Sequence, residues 1–578
     1  MRNMRRVLHW FHGLVALRCI RVQPFLFLSL IGALSLTVVR TAPPSTNHEI
    51  FSDVTEQAGI TWRQFSGQSS DRFLIETMGG GVAFADFDSD GLQDLFFVNG
   101  GETPHGRSPS PIRNALYHNL GNGKFEEVAA KAGLDRLQFY GMGVAVADFD
   151  NDGFPDLYVT GFPSSALFHN NRDGTFTNIT ERAGVKNTGR WAASAAWFDF
   201  DRDGYLDLVV TNYARFSFDD VKKCELNGVR TYCEQKGYEG LPLTLYHNNG
   251  NGTFTDVSDK SGLAKLIGRA LGVIAIDVSG DGWPDLFVAR DASPNLLLIN
   301  NRNGTFTDVG LDAEVAYDSN GVAKSGMGVD AGDVNHDGKP DFVVTNFNDE
   351  YHSLFISTPS MLYTDRTVPS QLAAYTRTDV GWGTQFMDYD NEGDQDLLIV
   401  NGHINQVIET TRVDVKYKET PLLLHNDGNG VFRNMRAQAG SVFQAGYSAR
   451  GLAVGDFNND GGIDVVFTQL DARPVLLRNN VGQNHSWVGF QLRGTKSNRD
   501  AIGAKISVEV GNRKLVRWIT GGGSYLSSHD KRVVVGIPGN SGSEAISAEI
   551  QWPSGTIQRL ASLKLKQYHH ITEPTGKN

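Results

Sequence analysis

GVAVADFDNDGFPDLYVTG, residues 143–161, decides the fold because it recurs. The same succession of apolar run, acidic loop and β-branched run returns as GVAFADFDSDGLQDLFFVN (81–99), SAAWFDFDRDGYLDLVVTN (194–212) and GVIAIDVSGDGWPDLFVAR (272–290). It returns again as GVDAGDVNHDGKPDFVVTN (328–346), GTQFMDYDNEGDQDLLIVN (383–401) and GLAVGDFNNDGGIDVVFTQ (451–469). The first aspartates of these seven copies, Asp86, Asp148, Asp199, Asp277, Asp333, Asp388 and Asp456, stand 51 to 78 residues apart. Periods of that size belong to blades or solenoid turns. Strand-length runs on both sides of the loop predict strand, loop, strand in every copy.

A second half-repeat follows most copies, as in ALFHNNRDGTFTNITERAGV (166–185) and TLYHNNGNGTFTDVSDKSGL (244–263). Its Asn-Gly and Asp-Gly pairs mark hairpins. Four strands per unit and seven units predict an all-β chain: a seven-bladed β-propeller over residues 48–481. The seventh copy ends at PVLLRNN (474–480) without a last strand, and EIFSDVTEQAGI (49–60) supplies the missing match, so the N-terminal strand is expected to close the ring. An open solenoid would not explain a split unit.

Each loop reads D-x-[D/N/S]-x-[D/E]-G-x-x-D. The oxygen-bearing side chains are Asp86, Asp88, Asp90 and Asp94; Asp148, Asp150, Asp152 and Asp156; Asp199, Asp201, Asp203 and Asp207; Asp277, Ser279, Asp281 and Asp285. The last three loops give Asp333, Asn335, Asp337 and Asp341; Asp388, Asp390, Glu392 and Asp396; Asp456, Asn458, Asp460 and Asp464. Carboxylates this crowded repel unless a cation neutralises them. Calcium, which takes six to eight oxygens, suits a tight loop with glycine at the turn, and up to seven Ca²⁺ are expected. Asx-turn chemistry explains one such loop but not seven in register. An EF-hand is rejected because position twelve is apolar in every copy, as at Phe97, Val159 and Val288.

The composition agrees. Positions one, three, five and nine of these loops hold 25 of the 65 acidic residues, and Gly 64 of 578 fits many tight turns. A net charge of -12 with no dense basic run excludes nucleic acid as a partner. The arginines at 2, 5, 6, 18 and 21 precede an apolar run over 22–39, so residues 1–42 are read as a signal peptide or signal-anchor. The body is then secreted, extracellular or periplasmic, touching membrane only through that anchor. Cys224 and Cys233 lie close together with no zinc-type spacing, and a loop-closing disulfide is expected.

After residue 482 the strand pattern changes. WVGFQLRG, AKISVEVG, KLVRWIT, RVVVGIP and AISAEIQW predict a small all-β domain over 482–573, with a tail at 574–578. The acidic loops resemble the FG-GAP and VCBS repeats of calcium-binding propellers such as the integrin α head. NRDAIGAKI (498–506), GGGSYLSSHD (521–530) and WPSG (552–555) resemble the ASPIC/UnbV domain of the cartilage acidic protein family. The resemblance implies the seven-bladed fold, calcium at Asp86 and its counterparts, an extracellular setting and no well-attached catalytic activity. Ser279 at position three of the fourth loop and Glu392 at position five of the sixth depart from what the family's loops carry there.

His118, His169, His247 and His425 recur at one position of the repeat and are read as structural. No catalytic motif is present, which favours an adhesion or ligand-binding module for a protein or glycan over an extracytoplasmic propeller enzyme acting on a polysaccharide. Recognition is expected on the long connections 100–114, 212–243 and 402–420, opposite the acidic loops. Arg107, Arg113, Tyr213, Arg215, Tyr238, His403, Arg412 and Tyr417 are the candidates there.

Overall fold

The computed structural model describes residues 49–539 and 546–576, which belong to one compact unit. The export segment expected over 1–42 lies outside the described residues. Each repeat copy forms one antiparallel sheet, and the sheets are numbered one to seven in chain order. Sheet one consists of Val82–Ala85, Asp94–Phe97, Ala115–Asn119 and Phe125–Glu127. Sheet seven takes Ala449–Gly455, Asp464–Gln469 and Val475–Asn479 from its own copy, and its fourth strand is Phe51–Asp53, with Phe51 opposite Asn479. The first strand of each sheet packs beside that of the next, and that of sheet seven packs beside that of sheet one. An all-β chain of such sheets is consistent with a propeller.

Packing explains the apolar runs. Separate buried clusters lie between neighbouring sheets, such as Phe84, Phe97, Tyr117 and Val466 between sheets one and seven, and Phe198, Val209, Val273 and Leu286 between three and four. The strands are therefore covered on both faces and do not alternate with polar residues. Each fully buried Val, Leu or Phe contributes about 1.5–3 kcal/mol. Sheet five also has its third and fourth strands, Ser353–Ser357 and Tyr363–Asp365, although no Asn-Gly turn joins them.

Beyond residue 482 the chain builds two further sheets. Ser486–Arg493 pairs with Val533–Ile537 and, in parallel, with Tyr568–Thr572; the second sheet runs Arg513–Trp518, Lys505–Val510, Ile546–Gln551, Ile557–Leu563. Their core is continuous with that of sheets two and three, joining Val488, Ile506 and Trp552 to Trp197 and Leu208.

Residues 519–532 leave this domain and run along the first strands of all seven sheets. Gly521 and Gly522 pair with Ala275 and Ile274 as a fifth strand of sheet four. The N–H groups of Phe84, Val144 and Val329 donate to the carbonyls of Ser528, Leu526 and Ser524 at 3.1, 3.0 and 3.1 Å. Leu526 N–H donates to Ser194 Oγ, Thr384 N–H to Ser524 Oγ and Val454 N–H to His529 Nδ1. A Cβ on Gly81 would collide with the Leu526 carbonyl, which accounts for the small residues of the first strands. Tyr525 and Leu526 are fully buried, and the Tyr525 ring meets Trp382 at 4.9 Å. The change of architecture near residue 482 therefore does not separate two bodies.

Cys224 and Cys233 form a disulfide across the hairpin Cys224–Leu226/Val229–Thr231. By loop entropy the bridge is worth about 2–3 kcal/mol. Peptide mapping of protein purified without reductant should recover the two cysteines as one linked peptide. Two alkylatable thiols would contradict the bridge.

Candidate functional site

The acidic loops are built alike. Position one closes the turn: Asp148 accepts the N–H groups of Asp152 and Gly153 at 2.9 and 2.7 Å, and Asp388 those of Glu392 and Gly393 at 3.0 and 2.9 Å. Gly153 has φ 100°, a left-handed value that explains glycine at position six. Position nine opens the second strand and ties the loop to the third: Asp156 accepts from Phe149 N–H and Asn170 N–H, and Asp341 from Val334 N–H and Ser357 N–H. Asp148, Asp150 and Asp156 bring carboxylate oxygens within 4.8 Å of one another.

Burial pushes these carboxyls up, with neighbouring acids adding to it: to about 8 at Asp148, Asp199 and Asp341, and to about 7 at Asp94, Asp156, Asp207, Asp285 and Asp396. Such a site accepts a proton or a cation. Its donors are hard oxygens, the set that hard divalent ions select.

The recurrent histidines belong to these sites. His169 Nδ1 lies 3.1 Å from Asp156 and 3.5 Å from Asp150; His247 and His425 repeat both distances in their own loops, and His118 stands 3.3 Å from Asp88 and Asp94. Hydrogen bonding to Asp396 raises His425 to about 9. Histidine occurs wherever position three is Asp, at Asp88, Asp150, Asp201 and Asp390. Where position three is Ser279, Asn335 or Asn458, the corresponding residue is Ile299, Ile356 or Arg478. The histidine thus balances the third carboxylate. The fourth loop is the most compromised: Ser279 Oγ turns inward to Asp277 at 3.2 Å, and Arg302 pairs with Asp281.

The C-terminal domain covers this face. Arg499 donates to the Asn151 carbonyl at 3.0 Å, Lys505 to that of Gly338 at 2.7 Å, Arg517 to that of Gly393 at 3.1 Å and Arg532 to that of Asp456 at 2.6 Å. Tyr568 OH donates to the Asp456 carboxylate at 2.8 Å.

The long connections occupy the opposite end of the sheets, and the expectation for them needs correction. Tyr213 and Tyr238 are core residues: Tyr213 is fully buried and donates to Asp291 at 2.6 Å, and Tyr238 packs in the same cluster as Trp191 and Cys233. The connection 212–243 packs its aromatics into a core shared with Phe73, Phe162, Trp191, Trp382 and Tyr525, so they are not available to a partner. The arginines are paired locally, Arg107 with Glu102, Arg113 with Asp135, Arg215 with Glu239 and Arg412 with Asp349 and Asp414. Tyr417 is half-buried beside Gln406. Of the eight, His403 alone lines the cavity of about 940 Å³ that the disulfide hairpin encloses with the connections of sheets five and six. Phe347, Asn348 and Thr231, absent from the expectation, line it too.

Comparison with known proteins agrees with this architecture. The FG-GAP-like repeat model matches residues 86–159, 148–210, 236–288 and 277–344, and the ASPIC and UnbV model matches 494–578. Cartilage acidic protein 1 of Mus musculus is 26% identical over 540 residues, 86% of this chain and 74% of that protein. The Homo sapiens protein of the same name is 24% identical over 472 residues, 76% of this chain and 64% of its own length. A solved structure of BBS1N in complex with ARL6DN overlaps with a TM-score of 0.40 at 10% identity, over 75% of this chain and 98% of that one, a likeness too weak to carry an argument.

Proposed function

From a chain that carries FG-GAP-like repeats and an ASPIC/UnbV domain and is similar to cartilage acidic protein 1, we infer an exported, calcium-stabilised ligand-binding module. The seven sheets are the blades of one propeller, and the strand Phe51–Asp53 closes its ring. Calcium occupies the acidic loops at positions one, three, five and nine. Seven divalent ions would bring about +14 against the net charge of -12. The partner is a protein or a glycan in an extracytoplasmic space.

One observation carries this reading. The C-terminal domain lies over the acidic-loop face, while connections from three sheets gather round a cavity at the other end. Long connections on a rigid scaffold are where recognition sits, and the first face is already occupied. Calcium-loaded protein, screened against glycans, matrix proteins and polysaccharide substrates, should capture a partner without turning it over. Shortening that connection between residues 405 and 414, which leaves Gly402, His403, Val415 and Glu419 in place, should abolish capture with the melting temperature unchanged. Unchanged capture would move the site to the C-terminal domain, and turnover of a polysaccharide would favour an enzyme.

A further inference from the structure

The third position of the acidic loops is used in two different ways. In the four loops that carry a histidine, the ring nitrogen Nδ1 faces the Oδ2 atom of the position-three carboxylate, at 3.3 Å for Asp88 and 3.5 Å for Asp150, Asp201 and Asp390. The same nitrogen stands 3.1 Å from Oδ1 of the position-nine carboxylate at Asp156, Asp207 and Asp396, and 3.3 Å at Asp94. One imidazole N–H therefore spans both acids and holds one oxygen of each. Position nine needs nothing more, because its oxygens also accept backbone N–H groups, as Asp156 does from Phe149 and Asn170. Position three keeps an oxygen free. Asp150 Oδ1 and Asp201 Oδ1 are buried with no partner among the described residues. Asp88 Oδ1 and Asp390 Oδ1 accept only long bonds, 3.3 and 3.4 Å, from the N–H of position five.

Buried polar atoms are normally satisfied, and each exception asks for a partner. Water does not reach Asp150 Oδ1, so the partner it lacks is a small ion seated among the loop's own ligands, where Asp148, Asp150 and Asp156 converge within 4.8 Å. In the three loops without histidine the third side chain is already engaged. Ser279 Oγ donates to Asp277 at 3.2 Å, Asn335 Nδ2 to Asp337 at 3.4 Å and Asn458 Nδ2 to Asp460 at 2.8 Å. An ion there meets a neutral oxygen and a carboxylate that is already hydrogen-bonded. Neighbouring cations do not make the same division: Arg172 pairs with Asp152 and Arg517 faces Asp388 in histidine-bearing loops, just as Arg302 pairs with Asp281 in a loop that lacks one. An outer partner that orients a ligating group is worth about tenfold to a hundredfold in metal affinity.

We propose that His118, His169, His247 and His425 are positioning residues, each turning the position-three carboxylate so that Oδ1 faces the loop ion, and that they divide the loops into tight calcium sites, loops one, two, three and six, and weak ones, loops four, five and seven. The proposal rests on calcium filling the loops, as inferred above. Titration of the purified, EDTA-stripped full chain with Ca²⁺ against a chromophoric chelator tests it, and should resolve about four tight and about three weak ions. His169→Leu should move one ion from the tight class to the weak, raising its Kd about tenfold or more. His169→Asn, whose amide can donate from nearly the same place, should keep that ion tight. In an Asp150→Ser chain, which has no second carboxylate oxygen to turn, His169→Leu should change nothing further. A third carboxylate that acted by its charge alone would leave the site tight in His169→Leu, and that result overturns the proposal. An equal loss of affinity with and without Asp150 overturns it too, because the histidine would then support the fold and not the carboxylate. Should His169→Leu fail to fold, His118→Leu and Asp88→Ser, in the loop most open to solvent, give the same readings. A single class of equal sites overturns the proposal and leaves the calcium reading standing, whereas no calcium binding at all removes both.

Discussion

Chelating calcium should lower the melting temperature by about 10 °C or more at pH 8 and by far less at pH 5. Without the ion, the folded chain holds carboxyls pushed up to about 8 at Asp148, Asp199 and Asp341 and to about 7 at Asp156, Asp207 and Asp396, against 3.8 for an unburied aspartate. Burial is the main cause, because it penalises the charged form. Between pH 4 and 8 the native state therefore binds more protons than the unfolded chain, so ion-free stability falls as pH rises through that window. Calcium bound there would replace the protons as the neutralising charge and remove that fall. At pH 5 protons already occupy the sites, and the ion adds little. Each site held at a hundred times its Kd contributes about 2.7 kcal/mol, so several sites acting together outweigh any single substitution. Differential scanning of the purified protein in EDTA and in calcium, at both pH values, checks the result. A calcium effect that is absent, or equal at pH 5 and pH 8, would contradict it. Asp148→Ala should remove one site's share and leave the rest of the calcium effect intact.

Much of this is legible in the residues. The split seventh unit was readable because EIFSDVTEQAGI keeps the register of TFTDVSDKSGL, and Phe51 indeed pairs with Asn479. The histidines were legible too, though not by repetition alone. Repetition marks them as structural, whereas the signal of their role is that they accompany Asp at position three and disappear with it. The third and fourth strands of sheet five escape because the turn Thr358–Leu362 lacks glycine, and pairing with the preceding strand supplies what local turn chemistry does not. The ligand face misleads for a different reason. Aromatic residues in a long connection look available, but a connection that folds back over the sheets buries them in the common core, as Tyr213 and Tyr238 are buried. GGGSYLSSHD has no alternation because its partners are not its own domain's strands. They are the seven first strands, up to 445 residues away at Val82.

Breaking that segment should unfold the whole body rather than loosen its end. Tyr525 and Leu526 are fully buried against Met78, Trp382 and Trp191, so truncating either removes apolar contacts worth about 2–5 kcal/mol. The backbone groups they satisfy matter less. If the segment left, water entering along the first strands would hydrogen-bond Phe84, Val144 and Val329 N–H in its place, and a donor re-solvated by water costs far less than the about 1–3 kcal/mol of an orphaned one. Packing therefore decides the effect. Arg450 adds to it: its fully buried guanidinium donates to the carbonyls of Thr77 and Gly402 at 2.6 and 2.9 Å and lies 4.1 Å above the Trp382 ring that Tyr525 covers. Exposing that face would hydrate a charge now held by four backbone carbonyls and loosen its contact with the ring. The intact chain should melt in a single transition. Tyr525→Ala and Leu526→Ala should shift all of it downward by about 5 °C or more, as followed by both near-ultraviolet dichroism and the calcium-dependent signal of loops two and three. A chain ending at residue 481 should melt lower still, or fail to fold. Two separate transitions, or a chain truncated at 481 as stable as the parent, would mean that the segment merely rests against the first strands, because a segment that contributes to the fold cannot be withdrawn without cost.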